Sequence, residues 1–97
     1  MKIKDLEQGK YYTTKEYIND KLVRQRWWYI SLREDKNIRA MVVEKLWGSP
    51  ISIHLDFDVW YSDAYFKNLL FEKDSKKYFM ESIRELIKEL QYLTTSD

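Results

Sequence analysis

From Ile51 to Val59 apolar and polar residues alternate without a break. Ile51, Ile53, Leu55, Phe57 and Val59 fall on one side, and Ser52, His54, Asp56 and Asp58 on the other. A period of two is that of a strand with one face buried and one face wet. Two earlier runs, Arg26–Arg33 and Ile38–Leu46, are dense in the aromatic and branched side chains that suit a pleated surface. Polar Glu34–Asn37 and the punctuated Trp47-Gly48-Ser49-Pro50 separate the three runs as turns. The pattern therefore predicts strands over about 26–33, 38–46 and 51–59.

Near the C-terminal end the period becomes helical. Phe79, Ile83, Leu86, Ile87, Leu90 and Leu93 make one stripe, opposite Lys77, Glu81, Arg84, Glu85, Lys88 and Glu89. Asp74 or Ser75 can cap it, which predicts a helix over about 75–93. A shorter helix is expected over about 14–24, because Thr13 and Glu16 have capping-box spacing and Ile18 and Leu22 stand four apart. Residues 64–71 read equally as a helix capped by Ser62-Asp63 or as a strand. The expected fold is α+β: an antiparallel sheet of three to four strands, the C-terminal helix on one face, the short N-terminal helix near the other, all in one domain over 1–97.

Tight hairpins would set Arg33 opposite Ile38 and Trp47 opposite Pro50. One face then collects Trp27, Tyr29, Ala40, Val42, Leu46, Ile51, Ile53, Leu55 and Phe57, with the C-terminal helix to cover it. The other collects Trp28, Ile30, Leu32, Met41 and Val43 beside the polar side of the third strand, where Arg39 would meet Asp58. That second face holds more apolar surface than a short helix covers. It makes Trp28, Ile30, Met41 and Val43, with Asp56 and Asp58, the expected partner-binding surface.

Composition narrows the function classes. With no Cys, a disulfide-stapled secreted domain is excluded and a reducing, cytoplasmic setting is expected. No run approaches the roughly 20 apolar residues of a membrane span, and Met1–Asp5 leads into no signal-like apolar stretch. Seventeen basic residues against sixteen acidic leave a net charge of +1, without the basic excess of a typical phosphate binder. Only two Gly and one Pro leave little room for loops, and no Gly-rich phosphate cradle exists. Four Trp, eight Tyr and four Phe are the unusual feature.

His54, Asp56 and Asp58 are the one cluster with metal-ligand side chains, and a metal-dependent enzyme using them is one alternative reading. Alternate residues on one strand stand about 6.5–7 Å apart, so the plainer reading is a polar outer face. Lys21, Arg24 and Arg26 beside Trp27 mix cations with rings, as single-stranded nucleic acid prefers and as protein interfaces also prefer. Tyr12-Thr13-Thr14-Lys15-Glu16-Tyr17-Ile18, followed by Tyr29-Ile30-Ser31-Leu32-Arg33-Glu34 and Ile38-Arg39-Ala40, resembles the opening of excisionase- and MerR-like winged helices. That resemblance implies a capped first helix, a recognition helix and DNA binding. The segment departs from it in having Lys21-Leu22-Val23-Arg24 where a Gly or small residue makes the inter-helix turn, and an acidic strand where the wing would be.

The expected function is a small non-enzymatic regulator that needs no cofactor and acts by protein–protein contact. Such a motif-free domain suits an inhibitor of a host or defence complex encoded by a phage or mobile element. Nucleic acid and a second copy of the chain remain alternative partners.

Overall fold

The computed structural model describes residues 1–95, without the side chains of Leu90 and residues 92–95. Leu90 and Leu93 of the helical stripe thus lie outside the described side chains. Five strands, β1 (Tyr11–Ile18), β2 (Lys21–Arg33), β3 (Asn37–Leu46), β4 (Ser52–Trp60) and β5 (Glu72–Asp74), form one antiparallel sheet in the order β4-β3-β2-β1-β5. Helix α1 (Lys76–Thr95) packs on one face. The α+β class, the three expected strands and the C-terminal helix are present as expected.

The short helix over 14–24 is not. Those residues form a β-hairpin turning at Asn19-Asp20, where both residues have positive φ (51° and 64°). Two such residues in a two-residue loop match the right-handed twist of the flanking strands, and Asn and Asp tolerate the conformation. The capping-box signature lost to β partners. Thr13 Oγ1 donates to the Arg26 carbonyl, and Glu16 reaches Arg26 across the sheet instead of closing a helical turn. The ladder pairs Tyr12 with Trp28 and Thr13 with Trp27. Residues 64–71 are mainly irregular, with one 3-10 turn at Phe66–Asn68.

The expected register holds only in part. Leu32 pairs with Arg39 and Arg33 with Ile38, but a bulge at Ser31 shifts the β2–β3 ladder by one, so Trp28 meets Val42 and Trp27 meets Val43. In β3–β4 the Arg39–Asp58 pairing is present. Beyond Ala40 the ladder slips again, setting Leu55 and Asp56 together against Met41 and His54 against Val42. A one-residue slip moves side chains to the other face. The alternation of β4 is thereby divided: Phe57 and Val59 pack in one core cluster, and Ile51 in the other.

Each face has its own cover. On the first, Tyr12, Trp28, Ile30, Ile38, Ala40, Val42 and Val59 are buried beneath Ile3 and Leu6 of the N-terminal segment and beneath residues 61–71, a strap running from β4 at one edge to β5 at the other. Trp28 is the hub, with Phe57, Phe66 and Phe71 edge-on at 5.9, 5.9 and 5.0 Å. Its indole N–H donates to Thr14 at 2.9 Å. Arg33 pins the N-terminal segment by donating to the carbonyls of Lys4 and Leu6 while stacking on Tyr61. On the second face, Phe79, Ile83 and Leu86 of α1 cover Tyr11, Trp27, Tyr29, Met41, Val43 and Ile51. The strap is the cover that the sequence left unassigned.

Candidate protein-binding surface

The turn of the β3–β4 hairpin is set by its own chemistry and by a bond to the neighbouring strand. Gly48 has φ +92°, a conformation strained for any side chain. Ser49 N–H closes the turn on the Leu46 carbonyl at 3.0 Å. Trp47 N–H donates at 3.0 Å to the carbonyl of Val23, the extra residue where the β1–β2 ladder shifts register. The Trp47 backbone is thereby placed at the hairpin tip, and the Lys45 ammonium lies 5.1 Å from the centroid of its ring. Trp47 remains 46% exposed.

From that ring an apolar margin runs along the free edge of the sheet. Ile53 is 55% exposed and Leu55, at the bulge, 75%. Ile87 on α1 is also exposed. Between hairpin and helix lies a groove with two lobes. One, of about 500 Å³, is lined by Leu46, Trp47, Pro50 and Ile51; the other, of about 290 Å³, by Gln25, Trp27, Trp47, Ser82 and Leu86. Lys45 and Glu89 line both and pair at 2.8 Å. The groove thus combines apolar walls with a neutralised charge pair, which suits an apolar occupant more than a strongly charged one.

A second cluster sits under the strap. Arg26, with its side chain only 8% exposed, donates to Glu44 at 2.7 Å and to Glu16 at 2.8 Å, and lies 5.5 and 5.4 Å from the Tyr65 and Phe66 rings. The Tyr65 hydroxyl donates to Glu16 and accepts from Arg24 and Arg26. That hydroxyl, Glu16 and Glu44 hold the Arg24 guanidinium above its ordinary pKa against the opposing effect of burial. Two cations and two carboxylates balance, and the cluster ties β1, β2 and β3 together.

The sequence-derived sites are dispersed. Trp28 and Ile30 are fully buried under the strap, Val43 is buried under α1, and Met41 is half-buried at the helix margin. Asp56 and Asp58 are exposed on β4, where Asp58 accepts from Asn37 at 2.6 Å. These six do not make one surface. The bulge at Ser31 separates Trp28 and Ile30 from Met41 and Val43. Of the nucleic-acid set, Lys21 is exposed beside the β1–β2 turn, Arg24 and Arg26 are tied to Glu16 and Glu44, and Trp27 is buried under α1. The segment that resembles a winged helix is a β-hairpin, which removes the recognition helix. Among the described residues no group of three His, Cys, Asp or Glu side chains is placed to hold a metal ion. The β4 bulge puts His54 beside Phe57, 5.4 Å between ring centroids, and interrupts its alternation with Asp56 and Asp58.

Sequence reasoning missed Trp47, Ile53, Leu55 and Ile87. The signal for Trp47 was present: a ring followed by Gly48-Ser49-Pro50 must sit at a hairpin tip, where few elements can reach it. For Ile53 and Leu55 the alternation itself misled, because it assigned them to a core. Among the described residues no helix is long and apolar enough to cross a membrane. Comparison of the chain with protein-family models, with curated proteins and with solved structures finds no match.

Proposed function

We propose that this is a binding protein that acts by contact with another protein, through the margin formed by Trp47, Ile53, Leu55 and Ile87. The observation that carries this reading is the exposure of Trp47, Ile53 and Leu55 along one free sheet edge beside an apolar groove. Clustered exposed apolar residues mark interaction surfaces, and Trp is among the residues enriched at their centres. Inhibition of a host or defence complex is one form that this activity would take. Charge argues in the same direction, since Arg24 and Arg26, the arginines beside Trp27, are paired internally with Glu16 and Glu44.

Affinity capture from lysate with the immobilised protein tests the reading. A protein partner is expected that survives nuclease treatment and is lost with the double variant Trp47→Glu, Leu55→Glu. Both positions are exposed, so the double variant should melt close to the parent. Capture of nucleic acid alone, or of a partner indifferent to the double variant, would overturn it.

A further inference from the structure

Ile3 is buried in the Trp28 cluster, which anchors the lysines on either side of it beside the strap. Lys67 is anchored there too, since its neighbour Phe66 packs edge-on against Trp28 and its own N–H donates to the Asp63 carbonyl at 2.8 Å. Lys2, Lys4 and Lys67 line one cavity of about 210 Å³, together with Ile3, Tyr61 and Asn68. No carboxylate lines it. The acids nearest in the chain are turned to backbone N–H groups: Asp5 accepts from Lys2 at 3.0 Å, and Asp63 from Tyr65 and Phe66 at 2.9 and 3.2 Å. Lys2 Nζ gives one donor to the Asn68 carbonyl at 3.4 Å. Among the described residues, none of the three ammonium groups has an ion-pair partner. Arg33 adds a fourth charge close by, donating to the Lys4 carbonyl at 2.7 Å and stacking on Tyr61. The groove beside Trp47, by contrast, contains Glu89, and the hollow beside Trp60 contains Glu34 and Asp35.

Like charges gathered without a counter-charge repel, and an anion among them removes that repulsion. Cavity size limits the anion. Sites for drug-sized ligands occupy roughly 300–1,000 Å³, so this one admits a single compact group. Each ammonium is a point charge with three donors, which suits a tetrahedral oxyanion. We propose that the cavity binds a terminal phosphate, as the free ion or as the monoester of a small molecule, between Lys2 and Lys4 of the N-terminal segment and Lys67 of the strap. Two negative charges match three ammonium groups better than the single charge of a backbone phosphodiester does. The ligand bridges two covers of the Trp28 cluster, so its binding stabilises the folded state. The site lies on the side of the sheet away from α1, and the protein-contact reading does not depend on it.

The test is thermal melting of the full chain with inorganic phosphate and with glycerol 3-phosphate at millimolar concentrations, against sodium chloride at matched ionic strength. The midpoint is expected to rise and saturate with phosphate and not with chloride. Lys4→Gln with Lys67→Gln should abolish the saturable rise. Lys76→Gln with Lys77→Gln, which removes equal charge from α1, should keep it. All four positions are exposed, so both double variants should fold. Phosphate also stabilises proteins by exclusion from their surfaces, an effect that does not saturate and that both variants would retain. In ¹⁵N-labelled protein, the Lys4 and Lys67 amide signals should shift over the same concentrations as the midpoint rises. Tighter binding of glycerol 3-phosphate than of phosphate assigns the site to a monoester, and the reverse order to the free ion. Absence of a saturable rise, its reproduction by chloride, or its survival in the Lys4, Lys67 variant overturns the proposal. Tighter binding at these residues of oligothymidylate with unphosphorylated ends also overturns it, in favour of a nucleic-acid track.

Discussion

Arg26 shows how much depends on partners far away in sequence. Its charge is almost sealed from water by Tyr65 and Phe66, and is neutralised by Glu16 ten residues before it and Glu44 eighteen after. Removing Arg26 would leave two partly buried carboxylates to the longer contacts of Arg24 alone, and breaking a buried ionic group costs up to about 3–5 kcal/mol. Arg26→Ala should lose stability of that order in urea denaturation, and the loss should persist in high salt because the site is shielded from counterions. Asp74 is a different case. Burial raises its carboxyl pKa against the opposing hydrogen bond from Ser75 N–H, and its Oδ2 has no partner. The folded state therefore holds the Asp74 proton to higher pH than the unfolded chain does. Stability contributed at this site should fall as pH rises from about 4, the ordinary aspartate value, through the raised one. Asp74→Asn keeps an acceptor for Ser75 and should flatten that slope in pH-dependent melting. An unchanged slope would place the pH dependence elsewhere. Neither residue was legible from sequence, where Arg26 reads as a free cation beside rings. Glu16 and Glu44 become its neighbours only once the register is known.

At the scale of elements, the sequence was reliable where one period dominated and failed where two signals competed. The helical stripe around Phe79, Ile83 and Leu86 and the three strands were readable as elements because one period ran through each, although that period also assigned the exposed Ile53, Leu55 and Ile87 to a core. Residues 13–24 carried both a capping box and a run of Thr, Tyr and Ile flanking Asn19-Asp20, and the hairpin was the consistent alternative. Asp20 gives a direct test, since its φ of 64° is costly for a branched side chain. Asp20→Val should destabilise the protein by about 1–2 kcal/mol, whereas Asp20→Gly should keep the hairpin at full strength. Equal stability of the two would mean that the turn does not constrain the fold. The two bulges in the β2–β3 and β3–β4 ladders had no sequence signature. Ser31 and the Leu55-Asp56 step look regular until paired. Each nonetheless decides which side of the sheet a tryptophan or leucine occupies, and so the candidate binding surface was the least legible part of the molecule.

For the molecule as a whole, the strap joins the two outermost strands of the sheet over the Trp28 cluster. Strands β1 to β4 follow one another through short hairpins, but β5 meets β1 across 63 residues, Tyr11 opposite Asp74. Contacts between distant segments must first bear the entropy of closing the loop between them. The order of events follows: the four-stranded meander assembles first, and the strap with β5 latches afterwards. In chevron kinetics, Val42→Ala should slow folding, with φ of about 0.5 or more. Phe71→Leu should instead chiefly speed unfolding, with φ of about 0–0.3. The reverse pattern would make the strap part of the nucleus. Before that latch closes, Trp28 and Phe57 stand on an open sheet. A nascent chain still short of Phe71 therefore presents to its surroundings the rings that the finished protein hides, and its exposure to aggregation is set by how soon that residue clears the ribosome.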